Sequence, residues 1–136
     1  MRGILIDTNA YGAFKEGRPE AVAILRHAPL IGFSTVVLGE LLGGFAAGAR
    51  EASNREQLLA FLASERVRVY SVDSDTAESY ARLYLSLRRK GTPIPTNDLW
   101  IAATARQHSL AVFTYDRHFR EVEGVTAGNR LEDFSA

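Results

Sequence analysis

Cysteine is absent from the sequence, which excludes a disulfide framework, a thiolate nucleophile and a thiolate-ligated metal site. Long apolar runs are absent too, since none approaches the roughly 20 residues that a membrane-spanning helix needs. The amino-terminal stretch MRGILIDTN reaches an acid after an apolar run that is far too short for a secretory signal. These absences predict a cytoplasmic protein that makes no membrane contact.

An excess of either sign of charge is also missing. The 136 residues include 16 Lys or Arg and 16 Asp or Glu, so the formal net charge at pH 7 is zero. No overall basic field indicates a nucleic-acid partner, and charge therefore has to be interpreted locally. The length and a hydrophobic share of 46% suit one domain with its own core, and we expect a single domain over residues 1–136.

Short apolar segments alternate with helical patterns along the chain. Strands are predicted at residues 4–6, 30–33, 67–72 and 110–114, with a last short strand around Val125. Helices are predicted between them, and the first two cover residues 9–15 and 19–27. Short apolar strands that alternate with helices are typical of a parallel sheet covered on both faces. The pattern therefore predicts an α/β fold with three layers.

Capping patterns predict where two of the later helices begin. Ser53, with Glu56 three positions later, forms a capping-box pattern before an apolar helical segment. Asp75 and Glu78 stand in the same relation at the start of the following helix. These two pairs are the predicted helix starts.

Two aspartates directly follow predicted strands, and a third stands at the start of a helix. Asp7 follows the first strand, and Asp116 follows the strand at residues 110–114. In such folds the functional crevice lies at the carboxyl ends of the strands, near the point where strand order reverses. Asp98 falls in the first turn of the helix after Pro95, where the helix dipole alone favours an acid. Each aspartate by itself is also explained as an ordinary turn or cap residue.

Glu40 is harder to explain as an ordinary surface residue. It stands in the middle of the strongly apolar helical segment TVVLGELLGGFAAG, and residues 34–49 contain no Lys or Arg that could pair with it. Acids are almost never fully buried unless they are paired. Two alternatives remain: a buried glutamate that forms a salt bridge with a distant arginine, or a carboxylate kept in a cleft for a cation.

Taken together, the four acids indicate a cation site. If they converge at one end of the sheet, two unit charges about 4 Å apart repel by roughly 4 kcal/mol at a near-surface dielectric. Such a cluster persists either by holding protons or by binding hard cations. Carboxylate oxygens, without cysteine or convergent histidine, favour Mg²⁺ or Mn²⁺ over zinc.

Other polar residues near the acids have two interpretations. Thr8 and Thr114 stand beside Asp7 and Asp116 in the sequence, where they either orient a ligand or satisfy backbone groups at the strand ends. The three histidines are scattered along the chain, and we expect them to be surface or partly buried residues: His27, His108 and His118.

The motifs ILIDTN, GELLGG and NDLWIAATA, followed by FTYD and RHF, occur in this order over essentially the whole chain. With them the chain resembles a PIN-domain ribonuclease, specifically the VapC-type toxins of bacterial and archaeal toxin–antitoxin pairs. The resemblance implies a three-layer αβα domain with a five-stranded parallel sheet, and a homodimer. It also implies an RNA substrate, often tRNA or ribosomal RNA, and inhibition by a small VapB-type antitoxin that places a basic side chain in the pocket. The implied metal-binding pocket consists of Asp7, Glu40, Asp98 and Asp116.

The expected activity is that of an endoribonuclease that depends on Mg²⁺ or Mn²⁺, in which a metal-activated water attacks the phosphodiester. The three aspartates are the expected metal ligands, and Glu40 is expected to be a ligand or to orient the water. Arg117 and Arg120 follow Asp116 and are the expected phosphate contacts. The basic run at residues 88–90 is better explained by a helix end.

Two other functions compete with this interpretation. A Mg²⁺-dependent receiver-like domain would need paired acids after the first strand and a lysine after a late one, whereas only Asp7 stands there and the two lysines are Lys15 and Lys90. A non-catalytic binding module, whose acidic pocket docks a basic partner peptide, stays open. A cleavage assay with and without Mg²⁺ separates it from the ribonuclease.

Overall fold

Five parallel strands form one sheet in the computed structural model, which describes residues 1–135. The strands are β1 (Ile4–Ile6), β2 (Ile31–Ser34), β3 (Val67–Tyr70), β4 (Ala111–Phe113) and β5 (Ala127–Gly128). Their spatial order is β3-β2-β1-β4-β5, so the order reverses between β1 and β4. The predicted five-stranded parallel sheet is confirmed, and its switch point lies beside β1.

In the described residues, six α-helices flank the sheet and lie in the connections from β1 to β4. They are α1 (Thr8–Lys15), α2 (Pro19–His27), α3 (Thr35–Ala47), α4 (Glu51–Leu62), α5 (Ser74–Lys90) and α6 (Thr96–Gln107). Two short 3₁₀ turns, Arg117–Glu121 and Leu131–Phe134, follow β4 and β5. Within residues 1–135, no helix combines the length and the apolar character needed to cross a bilayer. The α/β class predicted from the alternating pattern is thus confirmed.

The core is centred on β1 and β4, whose side chains are all fully buried. This burial explains why both strands are continuous apolar runs rather than alternating ones. Helix α6 packs on the core through Ile101 and a series of buried alanines, whose small side chains let the helix approach closely. Because its apolar residues are fixed in this way, the polar first turn of α6 is held at one end of the sheet.

Two predicted helix starts are wrong. Helix α4 begins at Glu51, two residues before Ser53, whose hydroxyl instead accepts a hydrogen bond from Gln57 within the helix (3.3 Å). Helix α5 begins after Asp73, not at Asp75. The carboxylate of Asp73 accepts from the amide of Thr76, and the Thr76 hydroxyl accepts from the amide of Asp73, both at 3.0 Å. The cap requires an extended residue before the helix, which the spacing of Asp75 and Glu78 does not reveal.

Some strand boundaries differ from the prediction as well. The last strand pairs Ala127 with Val112 of β4, so it lies beyond the predicted position around Val125. Strand β3 ends at Tyr70 rather than at residue 72. Both strands lie at the edges of the sheet, where the partner strand determines which residues are paired. The first helix also starts one residue earlier than predicted, because Asp7 is its cap.

Candidate acidic active site

Asp7 lies at the carboxyl end of β1 and caps helix α1. One carboxylate oxygen, Oδ1, accepts a hydrogen bond from the amide of Thr8 (2.8 Å), and Oδ2 accepts one from the hydroxyl of Thr114 (2.6 Å). The residue is only 4% exposed. Asp7 therefore caps a helix, as an ordinary aspartate in this position would, and it is also a buried carboxylate at the switch point.

Burial changes the acidity of this carboxyl group. It raises the pKa of Asp7 from 3.8 to about 6, against the hydrogen bonds from Thr114 and Thr8, which lower it. The negative charges of Asp98 and Glu40 add to the increase. An ionised Asp7 is thus held in surroundings that disfavour its charge, and a nearby positive charge would stabilise it.

Thr114 joins the carboxyl ends of the two central strands. Besides donating to Asp7, its buried hydroxyl oxygen accepts from the amide of Asp116 (3.0 Å) and from Nδ2 of Asn9 (3.5 Å). Asn9 in turn accepts from the amide of Tyr115 (3.1 Å). Thr114 therefore satisfies a backbone group and also holds the Asp7 carboxylate in place, whereas its orientation of a bound ligand stays a prediction.

Glu40 faces the same end of the sheet from helix α3. It is only partly buried, and its Oε1 accepts from the hydroxyl of Thr8 (2.6 Å) while Oε2 accepts from Nδ2 of Asn97 (3.3 Å). Among residues 1–135, neither arginine nor lysine is in ion-pair contact with it. The alternative of a buried glutamate paired with a distant arginine is therefore wrong, and Glu40 lies at a polar cleft.

Asp98 and Asp116 are brought together by a histidine. Nδ1 of His118 lies 2.9 Å from Oδ2 of Asp98 and 3.0 Å from Oδ1 of Asp116. Asp98 belongs to the first turn of α6, whereas Asp116 caps the 3₁₀ turn after β4 and His118 lies within that turn. His118 is an exposed residue, as expected, but the expectation that no histidine converges with the acids is wrong, because this turn folds its ring back toward α6.

The pKa values of this group reflect the crowding of charge. Burial raises the pKa of Asp98, and the carboxylates of Asp116 and Glu40 raise it further, although the hydrogen bond with His118 opposes them. The pKa of His118 is raised, chiefly by its hydrogen bond to Asp98. Since Asp7 also responds to Asp98 and Glu40, the acids act on one another as a single electrostatic group.

The structure thus collects all four predicted acids at the carboxyl end of the sheet, beside the reversal of strand order. Two contributing residues are not among the predicted site residues, namely His118 and Asn97. Asn97 adjoins Asp98 in the sequence, and that adjacency is a signal that could have indicated it. His118 has only its spacing of two from Asp116, which has meaning only once the 3₁₀ turn is known.

The donor set fits a divalent cation. Asp98, Asp116 and His118 each offer one ligand atom, and these atoms all lie within 4.8 Å of one another. In the described part of the chain the only cationic side chain within ion-pair distance of the four acids is that of His118. A site with this excess of carboxylates suits Mg²⁺ or Mn²⁺.

The two arginines that follow Asp116 lie at the edge of the site. Arg117 and Arg120 are exposed, and they line a shallow hollow together with Thr114 and Asp116. By contrast, Lys90 at the end of α5 is paired with Glu121, with its Nζ 3.6 Å from the carboxylate. The arginines thus face solvent next to the acids, as a phosphate contact requires.

Comparison with known proteins agrees with the fold and with the order of the motifs. The family model described as PIN domain matches residues 4–125. Ribonuclease VapC5 of Mycobacterium tuberculosis is 30% identical over 123 residues, which are 90% of each chain. Ribonuclease VapC4 of the same organism is 37% identical over 95 residues, covering 69% of this chain and 72% of the relative. The crystal structure of VapBC-5, a member of the VapBC family of toxin-antitoxin systems from M. tuberculosis, superposes with a TM-score of 0.73 at 28% identity, covering 94% of this chain and 97% of that chain.

Proposed function

The chain belongs to the PIN-domain family and to its VapC-type branch, and from this premise we propose that it is a metal-dependent endoribonuclease toxin. The observation that carries the proposal is the convergence of Asp7, Asp98, Asp116 and Glu40 at the switch point of the sheet. Two of its relatives are named ribonucleases, which supports RNA as the substrate class.

The three aspartates would hold a Mg²⁺ or Mn²⁺ ion. When bound, this cation would neutralise the charge of the phosphodiester and make water a better nucleophile. Thr114 keeps Asp7 oriented through its 2.6 Å hydrogen bond, and the N-cap contact with Thr8 fixes the other carboxylate oxygen. These contacts let the site accept its ligand with little rearrangement.

Glu40 orients the attacking water and accepts its proton. Its carboxylate is positioned by Thr8 and Asn97 and is only partly buried, so it is accessible from the cleft. As the new P–O bond forms, the bond to the leaving oxygen breaks, and that oxygen takes a proton from solvent. Arg117 and Arg120 hold neighbouring phosphates of the RNA at the rim.

The proposed partner is a VapB-type antitoxin, because a structural neighbour at 28% identity is a VapBC toxin–antitoxin system. An acidic pocket of this kind would accept a basic side chain of the inhibitor, which would compete with the cation for the same carboxylates. The homodimer and the cytoplasmic location expected from the sequence stay predictions.

Cleavage of a defined RNA tests the proposal. We expect the protein to cut the RNA with Mg²⁺ or Mn²⁺ and to be inactive in EDTA. The Asp98→Asn variant should cut at least about a hundredfold more slowly, because it lacks one charged ligand of the cation. Asp75→Asn is the matched control, since Asp75 is also an acid in the first turn of a helix, α5, but is exposed and outside the site.

Full activity of the wild-type protein in EDTA would contradict the metal-dependent mechanism. If no RNA is cut with either cation while a basic peptide binds and Asp98→Asn abolishes that binding, the protein is the non-catalytic binding module instead.

A further inference from the structure

His118 is held in the acidic site by more than its side chain. Its backbone amide donates to Oδ1 of Asp116 (2.9 Å), and the next residue, Phe119, is fully buried. The ring is half-exposed, with Nδ1 between Asp98 and Asp116 at 2.9 and 3.0 Å. Because the 3₁₀ turn is anchored at both of these points, the imidazole stays beside the two carboxylates.

We propose that Nδ1 of His118 is a ligand of the divalent cation, together with Asp98 and Asp116, and that this nitrogen gives the site a preference for Mn²⁺ over Mg²⁺. The inference rests on the proposed metal-dependent function. It adds a residue to the oxygen ligands expected there, and it changes the expected selectivity.

The chemistry of the donor atoms gives the reason. Mg²⁺ prefers an octahedral shell of oxygen ligands, whereas Mn²⁺ accepts imidazole nitrogen more readily. The three potential ligand atoms lie within 4.8 Å of one another, which is close enough for one ion to contact all of them. A cation at this position would be held by Nδ1 in its deprotonated form, so binding would release a proton wherever Nδ1 carries one.

An alternative is that His118 acts only as an internal positive charge that balances Asp98 and Asp116. In that case the ring would compete with the cation, and its removal would improve the binding of Mn²⁺ and Mg²⁺ alike. If the ring is a ligand, its removal should weaken cation binding, and it should weaken the binding of Mn²⁺ most.

Binding of the bare cations to the purified protein distinguishes these roles without any assay of activity. We expect His118→Ala to weaken Mn²⁺ binding by about tenfold or more in calorimetric titration and to change Mg²⁺ binding much less. Electron spin-echo spectra of bound Mn²⁺ should show ¹⁴N modulation in the wild type and lose it in the variant. His27→Ala is the matched control, since His27 is exposed and its ring contacts the carbonyl of Ala23, away from the acids.

Each other outcome overturns the inference. Equal losses for both cations would mean that the ring only positions the carboxylates, and tighter binding of both cations in His118→Ala would mean that its positive charge competes with them. Mn²⁺ that binds without ¹⁴N modulation would reject the nitrogen ligand but leave a carboxylate metal site intact. If neither cation binds to the wild type, the metal-dependent function fails as well.

Discussion

At Asp7, two hydrogen bonds that favour the carboxylate are outweighed by burial among other acids. A pKa of about 6 in the folded protein, against 3.8 for an unperturbed group, means that folding favours the protonated acid. The contribution of protonated Asp7 to the free energy of unfolding is therefore fully present below pH 3.8 and is lost as the pH rises through about 6. At pH 8 the ionised carboxylate destabilises the folded state, and the difference in pKa corresponds to at most roughly 3 kcal/mol.

We predict that Asp7→Asn raises the melting temperature of the cation-free protein at pH 8, because a neutral amide replaces a buried charge. The gain should shrink as the pH falls below 6, where wild-type Asp7 becomes protonated. Thermal unfolding in EDTA, followed by circular dichroism, measures the melting temperatures of variant and wild type at pH 8 and at pH 5. A loss of stability of equal size at pH 8 and pH 5 would refute the charge argument, and Asp75→Asn should show no such dependence on pH.

The acids themselves could be identified from the sequence, since each stood at a strand end, in a first helical turn or in an apolar helix. Their partners could not all be identified. Thr8 and Asn97, which position Glu40, come from two different helices, and only the fold brings them within hydrogen-bond distance. His118 likewise reaches Asp98 across a separation of 20 residues.

Among the helices, α5 shows how a local cap depends on its surroundings. The predicted start at Asp75 was two residues from the true cap, Asp73, which also accepts a hydrogen bond from Nε2 of Gln107 at the end of α6 (3.0 Å). The cap thus belongs to the packing of two helices, and the sequence of α5 alone does not indicate its contacts with Gln107.

We predict that Asp73→Ala lowers the free energy of unfolding by more than Ser53→Ala does, because an N-cap and a contact between helices are lost together. Ser53→Ala should change it by less than about 0.5 kcal/mol, since Ser53 is an exposed residue inside α4 and not its cap. Urea denaturation of both variants measures the difference. Equal effects of the two substitutions would contradict a stabilising role of the Asp73 cap.

For the molecule as a whole, the order of the strands decides where the charges meet. Between β3 and β4 the chain crosses from one edge of the sheet to the other side of β1 through α5 and α6. This crossing places the first turn of α6 beside the ends of β1 and β4. Four acids from separate parts of the chain therefore share one cleft, so a cation bound there would contact segments that only the folded chain brings together.

A cation that binds only the folded chain should stabilise all of it. At a free concentration of Mg²⁺ or Mn²⁺ one hundred times the dissociation constant, we predict a gain of about 2.7 kcal/mol in unfolding free energy. The gain should disappear in Asp98→Asn and persist in Asp75→Asn, as measured by urea unfolding with and without the cation. An equal gain in Asp98→Asn would show that the cation acts elsewhere on the molecule.

The sequence by itself determined the α/β class, the parallel sheet and the identity of the four acids. Buried strands appear in it as short apolar segments, and the acids stand at strand ends, in a first helical turn or in an apolar helix. Tertiary structure decided the edge strand β5, the cap of α5, and the entry of His118 and Asn97 into the site. These features depend on distances between segments that are remote in the sequence. Hydrogen bonds and ion pairs act only over a few ångströms, so their partners are fixed when the chain packs.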